Sequence, residues 1–174
     1  MEAVGNISAE GTGLQPSSPL RLTYRYAAPR RLRVLLAEDD DDLRFLLAGA
    51  LRKDGYEVLE ARDGAELLAQ LRGVLPSNAS WTASTPPPAP PDVVVSDVMM
   101  PGATGLEVLT AVHRAQIGTP VVLITAFGAP ETHAEARRLG AVAVLDKPFE
   151  LADLRRLLRK IAPGENGRCS GGQR

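Results

Sequence analysis

The sequence predicts an α/β fold: a five-stranded parallel sheet, doubly wound as (βα)5, with helices on both faces in a three-layer sandwich. Three observations carry that expectation. Short apolar runs rich in Val, Ile and Leu alternate along the chain with segments whose leucines recur at helical spacing. The runs lack the apolar–polar alternation of a strand with one wet face, so they read as strands buried on both sides. Polar residues stand just after these runs, and an open parallel sheet gathers its ligand site at the carboxyl ends of its strands.

The elements follow in order. Arg33-Val-Leu-Leu-Ala37 is a buried strand that ends abruptly in the acidic turn Glu38-Asp-Asp-Asp-Asp42. Leu43, Leu46, Leu47, Ala50 and Leu51 share a helical face, and Asp54-Gly55 closes that helix. Tyr56–Ala61 is the second strand, and Asp63-Gly64 leads into a helix bearing Leu67, Leu68 and Leu71. Residues 73–91 interrupt the rhythm: Pro86-Pro-Pro-Ala-Pro-Pro91 fits neither a helix nor a central strand, so the segment reads as an inserted surface loop. Its place between helix two and strand three puts it at the amino ends of the strands, away from the ligand face. Trp81 within it is unusual for a loop and reads as a pin or a contact.

The rhythm resumes with the strand Asp92–Asp97, the helix Gly105–Arg114, the strand Pro120–Thr125 and the helix Pro130–Leu139 closed by Gly140. Val142–Leu145 is the fifth strand and Glu150–Ile161 the fifth helix. The division expected is a flexible extension over 1–30, one domain over 31–161 carrying the insertion at 73–91, and a flexible tail over 162–174.

Composition narrows the function. Of 174 residues, 44% are hydrophobic, enough for one core, while aromatics at 4% leave aliphatic side chains to fill it. The 21 acids and 20 bases nearly cancel, which argues against nucleic acid or an anionic membrane as the main partner. A single cysteine, Cys169, makes no internal disulfide and matches no zinc spacing. With no signal-peptide pattern and no stretch approaching about 20 apolar residues, the expected location is the cytoplasm. The N-x-S matches at Asn6 and Asn78 are then chance.

Four strand ends carry polar groups: Glu38-Asp39 after the first strand, Asp97 closing the third, Thr125 closing the fourth, and Lys147-Pro148 after the fifth. Clustered carboxylates repel, and a hard, oxygen-liganded cation such as Mg²⁺ relieves them. A lysine supplies a compact positive charge for Asp97 or a phosphate on it, and a threonine hydroxyl one hydrogen bond. Asp40, Asp41 and Asp42 read instead as helix-cap and dipole residues. His113 and His133 fall on helices away from strand ends, and Arg155, Arg156, Arg159 and Lys160 complement the dipole of the last helix.

The segments Val34–Arg44, Val93–Gly102, Val121–Ala126 and Leu145–Phe149 resemble, in order, the signature stretches of bacterial response-regulator receiver domains, with their flavodoxin-like, CheY-like fold. The resemblance spans roughly residues 31–161. It implies that Asp97 is the phosphoacceptor, that Asp39 ligates the metal directly with Glu38 helping through water, and that the Met99 backbone carbonyl completes the protein ligands. It implies Mg²⁺ (or Mn²⁺) as cofactor, Thr125 as the hydroxyl that follows the phosphoryl group, and Lys147 as the lysine paired with Asp97, followed by a cis bond to Pro148. The donor would be a sensor histidine kinase or a histidine phosphotransfer protein. The downstream partner would be a protein meeting the face of helix four, strand five and helix five, with no direct nucleic-acid contact, no membrane insertion and no enzymatic turnover of a substrate. A chain of this length reads as a stand-alone regulator, a phosphorelay carrier or a piece of a longer protein.

Two positions depart from the family pattern. Glu38 is longer than the commoner Asp, which loosens metal geometry. Val144 stands where the resemblance implies an aromatic, so switching is expected to run through the Thr125 loop with Phe127. Met99 and Phe127 are bulky enough to shield an acyl phosphate from water. The alternative reading is a pseudo-receiver that acts without phosphorylation; Val144 favours it, and Glu38, Asp39, Asp97, Thr125 and Lys147 oppose it. A flavodoxin-type cofactor binder would need a phosphate-cradling loop where Glu38-Asp39-Asp40 repels phosphate. A metal-dependent phosphatase would place its nucleophile after the first strand.

Overall fold

A computed structural model describes residues 31–73, 90–116, 118–126 and 128–161. The order is β1 (Arg33–Ala37), α1 (Asp41–Lys53), β2 (Glu57–Ala61), α2 (Gly64–Gly73), β3 (Val93–Asp97), α3 (Gly105–Arg114), β4 (Val121–Thr125), α4 (Pro130–Arg138), β5 (Ala143–Asp146) and α5 (Leu151–Ile161). The strands form one parallel sheet in the order β2-β1-β3-β4-β5, the doubly wound fold predicted. Residues 74–89 of the insertion at 73–91, with Trp81 and Asn78 among them, and Phe127, Cys169 and Asn6 lie outside the described residues.

The period-two geometry of a strand sends alternate side chains to opposite faces. Leu35 and Ala37 of β1, Val94 of β3, and Val121 and Leu123 of β4 pack with Leu67 and Leu71 of α2, Val108, Leu109 and Val112 of α3, and Ala136 of α4. Val34, Leu36, Val93, Val95, Val122 and Ile124 pack on the other face with Leu47, Ala48 and Leu51 of α1 and Leu154 and Leu158 of α5. This double coverage explains why the strands read as unbroken apolar runs.

Local chemistry sets the helix ends. The Asp40 carboxylate accepts from the Leu43 amide at 2.9 Å and caps α1, with Asp41 and Asp42 in its first turn, as their dipole reading requires. Thr104 and Glu107 form a reciprocal capping box on α3. Gly105 is required at the start of α3, because a Cβ there would collide with the Asp97 carbonyl. The close approach of α3 to the end of β3 depends on that missing side chain.

Most boundaries fall within a residue of expectation. The fifth strand shifts by one residue at each end: it runs from Ala143 through Asp146, while Val142, 50% exposed, precedes it and donates its amide to the Val121 carbonyl at 2.9 Å. β5 is one edge of the sheet, where an apolar residue is not obliged to be buried. The strand order also reverses at β1, with β2 on one side and β3 on the other. Such a switch point opens a crevice at the carboxyl ends of β1 and β3, where Glu38 and Asp97 stand.

Candidate functional site

Glu38 and Asp97 are buried, at 1% and 4% exposure, whereas Asp39 beside them faces solvent. Each of the three offers a carboxylate oxygen within 4.8 Å of the others. The cis Lys147–Pro148 bond follows directly after β5. The Lys147 amide donates to the Thr125 carbonyl at 2.7 Å, which ties this turn to the end of β4. From there the Lys147 ammonium donates to both Glu38 carboxylate oxygens, at 2.9 Å each, and to Asp97 Oδ2. The second Asp97 oxygen, Oδ1, accepts from the Met99 amide at 2.9 Å.

The electrostatics follow from this burial. Loss of water pushes the Glu38 carboxyl above its ordinary value of 4.5, and the Asp97 charge adds to the rise against the opposing pull of Lys147. Burial alone would lower Lys147, but its hydrogen bonds to Asp97 and Glu38 and their charges outweigh it and hold the ammonium above the usual 10.5. Two buried carboxylates thus share one cation. Three converging carboxylates and no nitrogen or sulfur donor make a set suited to a hard divalent cation such as Mg²⁺.

The sequence-predicted residues therefore separate into groups. Glu38, Asp39, Asp97 and Lys147 converge. Thr125 is buried at the end of β4, one position past Ile124, the register partner of Asp97. The Met99 side chain is 58% exposed, and its backbone amide meets Asp97. Three features escaped the sequence reading. Lys147 grips Glu38 as well as Asp97. Arg44 Nη1 donates to the Glu38 carbonyl at 2.8 Å. His133, expected away from strand ends, instead donates from Nε2 to Asp146 Oδ1 at 2.7 Å, at the end of β5. The helical position of His133 was legible, but its reach across to β5 depends on how α4 packs. The basic end of α5 also does more than oppose a dipole: Arg155 pairs with Asp54 at 2.5 Å and Arg156 with Asp153 at 2.7 Å.

Residues 34–159 match the family model of the response regulator receiver domain. The chain belongs to that family. This receiver is 38% identical over 131 residues to the transcriptional regulatory protein PdtaR of Mycobacterium tuberculosis, covering 74% of the chain and 54% of that protein. It is thus matched over about half the length of that relative. The Bacillus subtilis sporulation initiation phosphotransferase F is 26% identical, with 75% of this chain and 94% of that protein aligned. Among solved structures, the chemotaxis response regulator CheY4 of Vibrio cholerae superimposes with a TM-score of 0.62 at 31% identity, over 76% of this chain and all of that one. Receivers are signalling domains of two-component systems, so the acidic crevice lies in a fold built for phosphorelay signalling. Among the described residues, no helix is long and apolar enough to cross a membrane.

Proposed function

We propose that Asp97 accepts a phosphoryl group from the phosphohistidine of a sensor histidine kinase or histidine phosphotransfer protein. The observation that carries the reading is the convergence of Glu38, Asp39, Asp97 and Lys147 on one crevice. The donor's N–P bond breaks and its electron pair returns to the imidazole, while an Asp97 carboxylate oxygen bonds phosphorus to give a mixed anhydride. The chain's residues contribute position and charge. The Met99 amide holds Oδ1 and fixes the carboxylate plane. The Lys147 ammonium remains beside the reacting oxygens and balances the added charge, and the Thr125 hydroxyl answers the phosphoryl group. Glu38, Asp39, Asp97 and the Met99 carbonyl would hold Mg²⁺ or Mn²⁺, which supplies neutralisation of the phosphoryl oxygens when bound.

The name of the Bacillus relative, a phosphotransferase matched over nearly its whole length, supports a phosphorelay role. We assign the receiver to residues 31–161, with 1–30 and 162–174 as extensions, and the output to a protein that reads the α4–β5–α5 face in the cytoplasm. Incubation with acetyl phosphate and Mg²⁺ followed by intact-mass measurement tests the acceptor. One phosphoryl group should add to the wild type and none to Asp97→Asn. An unmodified wild type, or addition that survives Asp97→Asn, overturns the assignment and leaves the phosphorylation-independent module that Val144 favours.

A further inference from the structure

We infer that Arg44 is a positioning residue for the acidic turn, holding the Glu38–Asp39 peptide so that both carboxylates face the crevice. The inference rests on the reading of Glu38 and Asp39 as cation ligands. The turn leaves the sheet after Ala37, and its backbone is held at few points. The Glu38 amide donates to the Ala61 carbonyl at 3.2 Å, the Glu38 carboxylate accepts from the Asp40 amide, and the Asp40 side chain caps α1. Between these anchors lies the Glu38 carbonyl, which belongs to the same peptide plane as the Asp39 amide. Arg44 Nη1 donates to it at 2.8 Å.

The guanidinium is itself fixed from its other edges. Its Nη2 meets the Asp41 carboxylate, and its Nε lies 3.7 Å from Glu60 Oε2 of β2. Glu60 in turn is held by Arg52 at 2.7 Å. The Arg44 side chain is only 15% exposed although it starts from the first turns of α1. One planar fork therefore joins α1, β2 and the backbone of the turn, a task its several donors suit and a single ammonium does not. A turn about ψ of Glu38 or φ of Asp39 that the other does not compensate would re-aim one acidic side chain relative to the other and open the 4.8 Å cluster, and the bond to the Glu38 carbonyl opposes it.

Charge and position predict opposite signs. As a bare positive charge near three carboxylates, Arg44 repels a divalent cation, and its removal would tighten cation binding. As the clamp on the peptide, its removal loosens binding. Titrating the full chain with Mn²⁺, with free Mn²⁺ read by electron paramagnetic resonance, separates the two. R44Q and R44K should each weaken Mn²⁺ by about tenfold, the size seen when a group supporting a metal ligand is lost. The Asp39 amide resonance of the metal-free protein should move in both variants. E60Q, which leaves the bond to the Glu38 carbonyl in place, should weaken Mn²⁺ less and in the same direction, and covers the case in which an Arg44 variant fails to fold. Tighter or unchanged binding in R44Q, or wild-type binding in R44K, overturns the role of Arg44 alone. A wild type that does not bind Mn²⁺ overturns the ligand reading and this inference with it.

Discussion

β3 and β5 lie in one sheet with only β4 between them, yet β3 is buried at all five positions and β5 at none. The helices that follow differ in the same sense. α3 buries Gly105, Val108, Leu109 and Val112 and begins with a complete capping box. α4 buries Ala136 alone and begins at Ala129, which offers no side-chain cap. The difference assigns work to each region. The proposed acceptor, Asp97, stands on one of the two strands buried at every position, so its carboxylate is fixed before any reaction. The α4–β5 region has little burial to lose, and elements of low local stability are those that shift when charge changes nearby.

The sharpest way to break this comparison is to trim one aliphatic side chain to Ala on each side. Leu36 is fully buried in β1 beside β3, and Leu36→Ala should cost about 2–5 kcal/mol. Val144 of β5 is half-buried against the core, and Val144→Ala should cost under about 1 kcal/mol, in the range of minor core trimming at incompletely buried sites. Urea denaturation with an unchanged slope reads both directly. Comparable losses would mean that β5 is as firmly held as the centre of the sheet.

Lys147 joins the two regions, since it leaves the end of β5 and ends among the carboxylates of β1 and β3. Lys147→Met should destabilise by about 1–3 kcal/mol, because it leaves the buried Glu38 and Asp97 without their cation. The pH dependence carries the sign. The Lys147 pKa is raised on folding, so its pairing contributes fully below the ordinary 10.5 and is lost as pH rises through the higher folded value. The Glu38 pKa is also raised, so its burial favours folding below 4.5 and costs stability as pH rises through its folded value. In Lys147→Met that cost should grow, since the partner that lowers Glu38 is gone. The gap between variant and wild type should therefore widen from acid toward neutral pH and close again above the lysine range. Mg²⁺ should restore part of the loss at neutral pH. A gap that stays flat from pH 4 to pH 11 would show that the pair contributes nothing measurable.

The acceptor region was more legible in sequence than the α4–β5 region, for a physical reason. A strand buried on both faces must be apolar throughout, so Val93-Val-Val and Val121-Val-Leu-Ile announce themselves, and the topology then carries their ends to one crevice whatever the details. Glu38, Asp97 and Lys147 could be placed together without knowing a distance. At the edge that constraint relaxes. Val142 has the same apolar character as Val144, and only the structure shows that the regular strand begins at Ala143 and leaves Val142 exposed. Longer side chains are harder still. The reach of Arg44 to a carbonyl six residues back, the double grip of Lys147 on Glu38 and the meeting of His133 with Asp146 each depend on rotamers and helix docking that no local pattern encodes.

That last pair gives the smallest effect and the closest test of how α4 is held. His133 Nε2 donates to Asp146 Oδ1 at 2.7 Å, with the His133 side chain 22% and the Asp146 side chain 55% exposed. The carboxylate also sits against Gly128, where an added Cβ would fall inside contact distance of Oδ1. Gly128 therefore leaves the notch that lets Asp146 approach the start of α4, a helix with no side-chain cap of its own. A double-mutant cycle over His133→Ala and Asp146→Asn should return a coupling below about 1 kcal/mol, as for other solvent-screened pairs. The local consequence should exceed the global one. Amide exchange in α4 should quicken in either single variant, while amides of β3 and α3 keep their wild-type rates, because Ala136 is the one buried residue of α4. Gly128→Ala, by displacing Asp146, should reproduce the α4 pattern with both partner side chains chemically unchanged. If exchange in β3 rises in step with α4, the two regions unfold as one unit and the pair holds nothing that the rest of the sheet does not.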